Sequence, residues 1–201
     1  LGENMKKIIL TVFAATSLLF YSTQAFALLN FSVGVPFSHS LTGKNSDGSG
    51  KKAKSVSGFF IQAGLPLLPG LGIDKYTTKD EGGVFEFETN MYNLYYLLPI
   101  PIINLTLGLG TGTTEMKCPA GTFSGIAADC SGIYDKGSAS QWYASVGMPI
   151  IPLFDMHLSY RSVTAKNMKI KSTYCNVDCK GDAAGLDFSG NVMGFGIGFN
   201  F

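Results

Sequence analysis

Charged side chains are scarce in this chain. Asp, Glu, Lys and Arg make up 14% of its 201 residues, and the formal net charge is +1. A nucleic-acid-binding domain carries a concentrated basic footprint on one face. The small and nearly balanced charge therefore excludes nucleic acid as an expected partner.

Long apolar runs are also missing, except near the start of the chain. Residues 8–20 are largely apolar, but this stretch is shorter than the roughly 20 residues that a membrane-spanning helix needs. Met5-Lys6-Lys7 precedes it and the small-residue pattern Ala25-Phe26-Ala27 follows it, which is typical of a secretory signal peptide cleaved after Ala27. The expected division is a remnant upstream of the natural start at 1–4, a signal peptide at 5–27 and one domain at 28–201.

After the signal peptide, apolar residues recur at every second position. The clearest case is the C-terminus, where Phe195, Ile197, Phe199 and Phe201 alternate with Gly194, Gly196, Gly198 and Asn200. Strand side chains alternate between two faces, so this stretch has one oily face and one nearly bare face. Because the bare face carries no charge, the pattern suits a narrow barrel whose outside faces lipid.

Short apolar turns divide the domain. Proline brackets three of them: Pro66-Leu-Leu-Pro69, Pro99-Ile-Pro101 and Pro149-Ile-Ile-Pro152. Proline fixes φ and removes a backbone donor, so each motif should end one strand and precede the next. Three short turns with both termini at the same rim require eight strands. The sequence thus predicts an all-β fold, an eight-stranded antiparallel up-and-down transmembrane β-barrel with short periplasmic turns and longer outer loops.

The alternation also predicts where the strands and loops lie. The expected outer loops cover residues 39–55, 81–83, 115–137 and 166–187, with the closing strand at 188–201. Glu86 and Glu88 share the outward face of the fourth strand, so they should stand above the lipid unless a bulge intervenes. Aromatic girdles at the interfaces could draw on Tyr92, Tyr95, Tyr96, Trp142, Tyr143 and Tyr160.

The proline motif Pro66-Leu-Leu-Pro69 and the strand motif Leu94-Tyr-Tyr96 resemble those of small bacterial outer-membrane β-barrels (OmpA-, OmpX- and OmpW-like). The resemblance covers residues 59–112 and the turn at Pro149, about half of the mature chain. It implies a single-domain barrel in the bacterial outer membrane, expected to be a monomer. It also implies that Phe195, Ile197, Phe199 and Phe201 form the signal read by the outer-membrane assembly machinery. No activity follows from it.

Four cysteines lie in two of the predicted loops: Cys118 and Cys130 in the third, Cys175 and Cys179 in the fourth. In an exported chain they favour disulfides, with three possible connectivities. Pairing within each loop, 118–130 and 175–179, needs no contact between loops and is preferred. A cross-loop staple over the barrel mouth is the rival. A metal site is disfavoured because neither loop contains histidine.

The seventh predicted strand carries a polar series on one face: Asp155, His157, Ser159 and Arg161. The His-x-Ser spacing is similar to that of the lipid A deacylase among eight-stranded barrels. That enzyme continues with Asn and a downstream Glu, whereas Tyr160 follows Ser159 here and the last Glu is Glu115. Without an acid to orient the imidazole, the triad fails. The four residues are therefore predicted to be a polar lumen cluster, with no catalytic, cofactor or metal role.

Lysines give the predicted outer loops a basic character. They are Lys44, Lys51, Lys52 and Lys54 in the first loop and Lys166, Lys169, Lys171 and Lys180 around the fourth. They are either ordinary soluble-loop residues or partners for lipopolysaccharide phosphates beside the membrane lipid. The expected function is a non-enzymatic structural or surface-interaction role. The alternative is a small transporter of hydrophobic molecules, and a lipid A-modifying enzyme is the least favoured reading.

The terminal Phe201 offers a test of the assembly signal. Phe201→Ser forfeits the burial of one aromatic side chain, about 1.5–3 kcal/mol, and orphans no spanning backbone group. We therefore expect the variant to refold in detergent but to accumulate far less in the outer membrane. Quantitative blotting of membrane fractions measures this. Equal amounts of variant and wild type would contradict the assembly signal.

Overall fold

The computed structural model describes residues 29–43, 50–65, 68–100, 103–120, 122, 129–151, 153–174 and 186–200. The predicted signal peptide and its cleavage site lie outside the described residues, as do Cys175, Cys179 and Phe201. Within the described ranges, no helix combines the length and the apolar character that a membrane crossing requires.

Eight antiparallel strands form a closed barrel in which each strand pairs with the next and β8 pairs with β1. They are β1 Asn30–Leu41, β2 Ala53–Gly64, β3 Gly70–Asp80, β4 Glu86–Ile100, β5 Ile103–Lys117, β6 Gly137–Ile151, β7 Phe154–Lys166 and β8 Gly190–Asn200. A short helix, α1 (Cys130–Ile133), and a 3-10 turn at Ser172–Tyr174 lie between strands. The predicted eight-stranded up-and-down barrel is confirmed.

The two ends of the barrel differ. The turn end holds the start of β1 at Asn30, the end of β8 at Asn200 and the three short connections. The loop end holds the four connections that follow β1, β3, β5 and β7. Register places apolar outward residues side by side, as where Val33 pairs with Ile197 and Val35 with Phe195. Such neighbours on a sheet face stabilise each other by direct contact. Together they form an exposed apolar belt around the barrel.

The first predicted loop begins too early. β1 continues to Leu41 because a register shift between Pro36 and Ser38 inserts Phe37 as a bulge. A bulge reverses which residues face inward, so His39 enters the lumen, where its Nδ1 lies 2.7 Å from Thr78 Oγ1. The prediction that His39 lies in the first outer loop was wrong. The other predicted loop boundaries, at 115–137 and 166–187, lie within a few residues of the strand ends.

Two tyrosines expected in the aromatic girdles lie inside the barrel. Tyr95 is 3% exposed and Tyr143 is 1% exposed. Each follows an outward-facing residue directly, so strict alternation turns it inward. The outward placement of the remaining four is confirmed: Tyr92, Tyr96, Trp142 and Tyr160 are all exposed.

Glycines of the inner wall provide the space that these rings occupy. A Cβ added at Gly108 would lie 2.3 Å from the Tyr143 ring, and one at Gly70 would lie 2.3 Å from the Tyr95 ring. On β8, a Cβ at Gly196 would lie 2.2 Å from His157 Nε2. The inward-facing glycines therefore leave the space that large side chains of neighbouring strands occupy.

This complementarity makes Gly108→Ala a test of lumen packing. The added methyl group meets a ring that cannot withdraw, because Tyr143 is buried and its hydroxyl accepts a hydrogen bond from Gln62. We expect the variant to lose about 1–3 kcal/mol of unfolding free energy, measured by urea titration in detergent. Gly50→Ala is the control, because nothing lies within 4 Å of its Cβ. Equal stability of the two variants would contradict the packing described.

Candidate functional site

A buried ion pair crosses the middle of the lumen. Arg161 on β7 donates from Nε to Oδ2 of Asp74 on β3 at 2.9 Å, and the side chains are 2% and 0% exposed. These strands lie opposite each other in the ring of eight. Arg161 also donates to Ser159 Oγ and lies 3.5 Å over the Phe60 ring. A buried charge is tolerated only with such partners.

Amide side chains extend this pair around the wall. Gln141 Nε2 donates to Asp74 Oδ2 at 2.6 Å and to Asn93 Oδ1 at 2.7 Å. Gln62 Nε2 donates to the Tyr143 hydroxyl at 2.7 Å. Hydrogen bonds to the pair thus join β3, β4, β6 and β7. Arg161 also lies 4.9 Å from the Tyr143 ring, which connects Gln62 on β2 to the same network. Its side chains occupy the middle of the lumen, where Asp74, Asn93, Gln141 and Arg161 are all buried.

A second polar group lies toward the turn end. Oδ2 of Asp155 accepts from Asn104 Nδ2 at 2.9 Å and from Asn200 Nδ2 at 3.2 Å. Oδ1 of Asp155 lies 3.4 Å from His157 Nδ1. This group joins β5, β7 and β8 below the ion pair.

The structure places all four predicted cluster residues inside the barrel but divides them between the two networks. Asp155 and His157 belong to the lower one, Ser159 and Arg161 to the central one. The acidic partner of Arg161 is Asp74, which the sequence analysis missed. The sequence pattern could have identified Asp74, because it falls on the opposite face of β3 from the apolar residues Leu71 and Ile73. The structure shows Leu71 and Ile73 exposed and Asp74 buried.

The His-x-Ser pair does not form a nucleophile with its base. An acid does stand beside the imidazole, because Asp155 Oδ1 lies 3.4 Å from His157 Nδ1. The expectation that no acid would be present was wrong. The hydroxyl of Ser159 instead donates to the Gly194 carbonyl oxygen at 3.2 Å and accepts from Arg161. The described hydrogen bonds include none between His157 and Ser159. A serine nucleophile needs that contact for activation, so the geometry indicates structural roles.

Apolar side chains fill the loop end of the lumen. The cluster comprises Phe60, Tyr76, Phe87, Met91, Met116, Cys130, Ala139, Val163, Ala165, Met168, Phe188 and Val192. Several of these come from the connections rather than the strands, and the Phe188 ring lies 3.8 Å from that of Phe87. The described parts of the connections, including Cys130, Met168 and Phe188, therefore form a cap over the loop end of the lumen.

A disulfide and backbone bonds hold this cap together. Cys118 and Cys130 are joined as predicted, which fixes α1 to the end of β5; the 175–179 pairing lies outside the described residues. The third and fourth connections also pair with each other, since Lys171 N donates to Ile133 O at 2.8 Å. Asp129 caps α1, and the hydrogen bond from Gly132 N lowers the pKa of its carboxyl group.

Ion pairs surround the outside of the barrel near the loop end. Glu88 on β4 lies between Lys75 on β3, at 3.3 Å, and Lys117 on β5. Lys79 and Glu86 pair at 2.8 Å. The pairings of β4 show no register shift, so both glutamates face outward beyond the apolar belt, without a bulge. Among the described residues, no group of three or more His, Cys, Asp or Glu side chains could hold a metal ion.

Removing the charge of Asp74 tests the central pair. Asp74→Asn keeps the size of the side chain but leaves Arg161 buried without its counter-charge, which costs about 3–5 kcal/mol of unfolding free energy. The exposed pair of Lys52 and Glu81, with side chains 72% and 70% exposed, supplies the control. Lys52→Ala should cost about 0–1 kcal/mol. Urea titration of both variants measures the difference, and similar losses would show that the buried pair does not organise the lumen.

Comparisons with known proteins agree with this architecture. No protein-family model matches the chain, and no curated protein matches it significantly. The structure is similar to the crystal structure of Neisserial surface protein A (NspA), with a TM-score of 0.57 and 11% sequence identity. The match covers 86% of this chain and 97% of that one. At this identity the likeness concerns the fold alone: both chains form the same kind of closed, eight-stranded barrel.

Proposed function

We propose that the protein is a non-enzymatic barrel of the bacterial outer membrane, with a structural or surface-interaction role. The observation that carries the proposal is the apolar belt. Outward residues of every strand are exposed and apolar; examples from successive strands are Val35, Ile61, Ile73, Leu94, Leu109, Val146, Leu158 and Phe195. A water-soluble barrel would place such residues inside and charges outside. Here the middle and the turn end of the lumen hold buried polar side chains such as Asp74, Arg161 and Asp155, and an apolar outside around a polar inside is the arrangement expected in lipid.

The filled lumen supports a structural role over transport. A hydrophobic molecule passing through would have to displace both the buried ion pair of Arg161 with Asp74 and the apolar cap at the loop end. Removing one partner from a buried pair is costly, and the cap is held by a disulfide. The likeness of fold between this chain and Neisserial surface protein A does not distinguish a structural role from transport.

The loop end is the part of the molecule suited to contacts with partners. Lys75 and Lys117 are about half exposed just beyond the belt, at 50% and 48% of their side chains. Lysines at this height could pair with phosphates of lipopolysaccharide, the lipid partner proposed here. The assembly machinery is the second proposed partner, through the C-terminal strand. The closed barrel has no free strand edge that would require oligomerisation, so we propose a monomer.

Reconstitution in vesicles tests the proposal. Trp142 is the single tryptophan and faces outward, so lipids brominated on their acyl chains should quench its fluorescence. Planar bilayers holding the same protein should show no stable conductance steps, because the lumen is filled. In a Gram-negative host, the protein should fractionate with the outer membrane.

Trp142 fluorescence that brominated lipid leaves unchanged would overturn the membrane assignment. Stable conductance with an intact disulfide would instead favour the transporter. The variant Trp142→Phe, which should show no tryptophan signal, is the control for contaminating proteins.

A further inference from the structure

The apolar character of the turn end extends from the strands into the connecting turns themselves. The three stretches 64–70, 98–104 and 148–154 contain no Asp, Glu, Lys or Arg. In the first and third stretches, apolar side chains are exposed: Leu65 by 51%, Leu68 by 55%, Ile150 by 59% and Leu153 by 52%. In the second, Leu98, Ile100 and Ile103 are half-buried. These residues stand at or beyond the ends of the strands, where a turn in water would carry polar side chains.

Among the described residues of this end, no ring of charged side chains separates the turns from the belt. Outward-facing Phe31, Phe154 and Phe199 lie together beside the turns, with ring centroids 4.9 Å apart for Phe154 and Phe199. At the loop end, by contrast, ion pairs such as Lys79 with Glu86 stand beyond the belt. The apolar surface therefore continues from the belt onto the turns at one end only.

The backbone of the turns is also adapted to an apolar surrounding. An exposed N–H group without a partner is costly in lipid, so irregular backbone is normally excluded there. Proline has no N–H group, and six of the eight prolines lie in these stretches: Pro66, Pro69, Pro99, Pro101, Pro149 and Pro152. Other backbone groups of the turns are paired: Leu68 N donates to Leu65 O at 3.2 Å, and Leu153 O accepts from Asn200 N on β8 at 2.9 Å.

We infer that the three turns are immersed in the lipid of the adjacent leaflet instead of standing in water. The occupant of this apolar end is the lipid surface itself, since the turns continue the belt and carry no charge. The inference rests on the proposed membrane location and adds to it a depth. The turn end lies within the lipid, and the loop end, with its outward ion pairs and its cap, projects from the opposite surface of the membrane.

Single tryptophans placed at different heights test the position. In a Trp142→Phe background, one tryptophan replaces Leu68 or Leu153 in the turns, Leu109 in the belt, or Thr113, which faces outward on β5 beyond the belt. Each variant is refolded into phosphatidylcholine vesicles with brominated acyl chains. Quenching by the brominated lipid is compared with quenching by acrylamide from water.

We expect Leu68→Trp and Leu153→Trp to be quenched by brominated lipid at least half as strongly as Leu109→Trp. They should also be at least threefold less accessible to acrylamide than Thr113→Trp. If the turn tryptophans are accessible to acrylamide while Leu109→Trp is quenched by lipid, the immersion is overturned and the membrane assignment stands. If Leu109→Trp is not quenched by lipid either, the membrane assignment itself fails.

Two further outcomes would also overturn the immersion. Turn tryptophans shielded from both quenchers would mean that a second copy of the chain covers this end. In the second measurement, Leu68→Lys and Thr113→Lys are compared in the same vesicles by the mobility shift of folded protein on unheated gels. The lysine in the turn should lower the folded fraction at least twofold relative to Thr113→Lys, and equal fractions would contradict the inference.

Discussion

The hydrogen-bonded ion pair between Arg161 and Asp74 determines what the interior of this barrel can be. It joins opposite walls at 2.9 Å in a site that water does not reach, and a guanidinium group buried in this way must keep its counter-charge. Gln141 and Ser159 are positioned by the same two side chains. Around this pair the middle of the lumen is packed with polar side chains, and the apolar cluster lies between it and the loop end.

The packing of the lumen depends on which inward-facing positions are glycine. Gly108 and Gly70 leave room for the rings of Tyr143 and Tyr95, and Gly196 leaves room for His157. A glycine in a strand normally weakens it, but here each glycine pairs directly with the large residue on the neighbouring strand, and a side chain at its position would occupy the space of the ring. The stability that the glycines forgo within the strand is offset by rings and amides that fill the centre.

The two ends of the barrel follow different designs. At the loop end, the strands continue past the belt, carry ion pairs on the outside, and are closed inside by an apolar cap with a disulfide. At the turn end, the belt runs onto uncharged turns rich in proline. A barrel that is polar at one end and apolar at the other has a defined orientation and depth in the proposed membrane, and it presents only its capped end for contacts.

The sequence alone determined the fold class, because alternation with period two and three proline-bracketed turns admit an eight-stranded closed barrel and little else. It also determined the side of the barrel on which Asp155, His157, Ser159 and Arg161 lie and most of the outward-facing residues, although Tyr95 and Tyr143 turn inward. It favoured the bond between Cys118 and Cys130, which the structure then selected over a cross-loop pairing. Tertiary structure decided the rest. The bulge at Phe37 sends His39 inward, since a bulge depends on the register with β8 and not on β1 alone. The pairing of Arg161 with Asp74 joins strands four places apart around the ring, and only closure of the barrel brings them together.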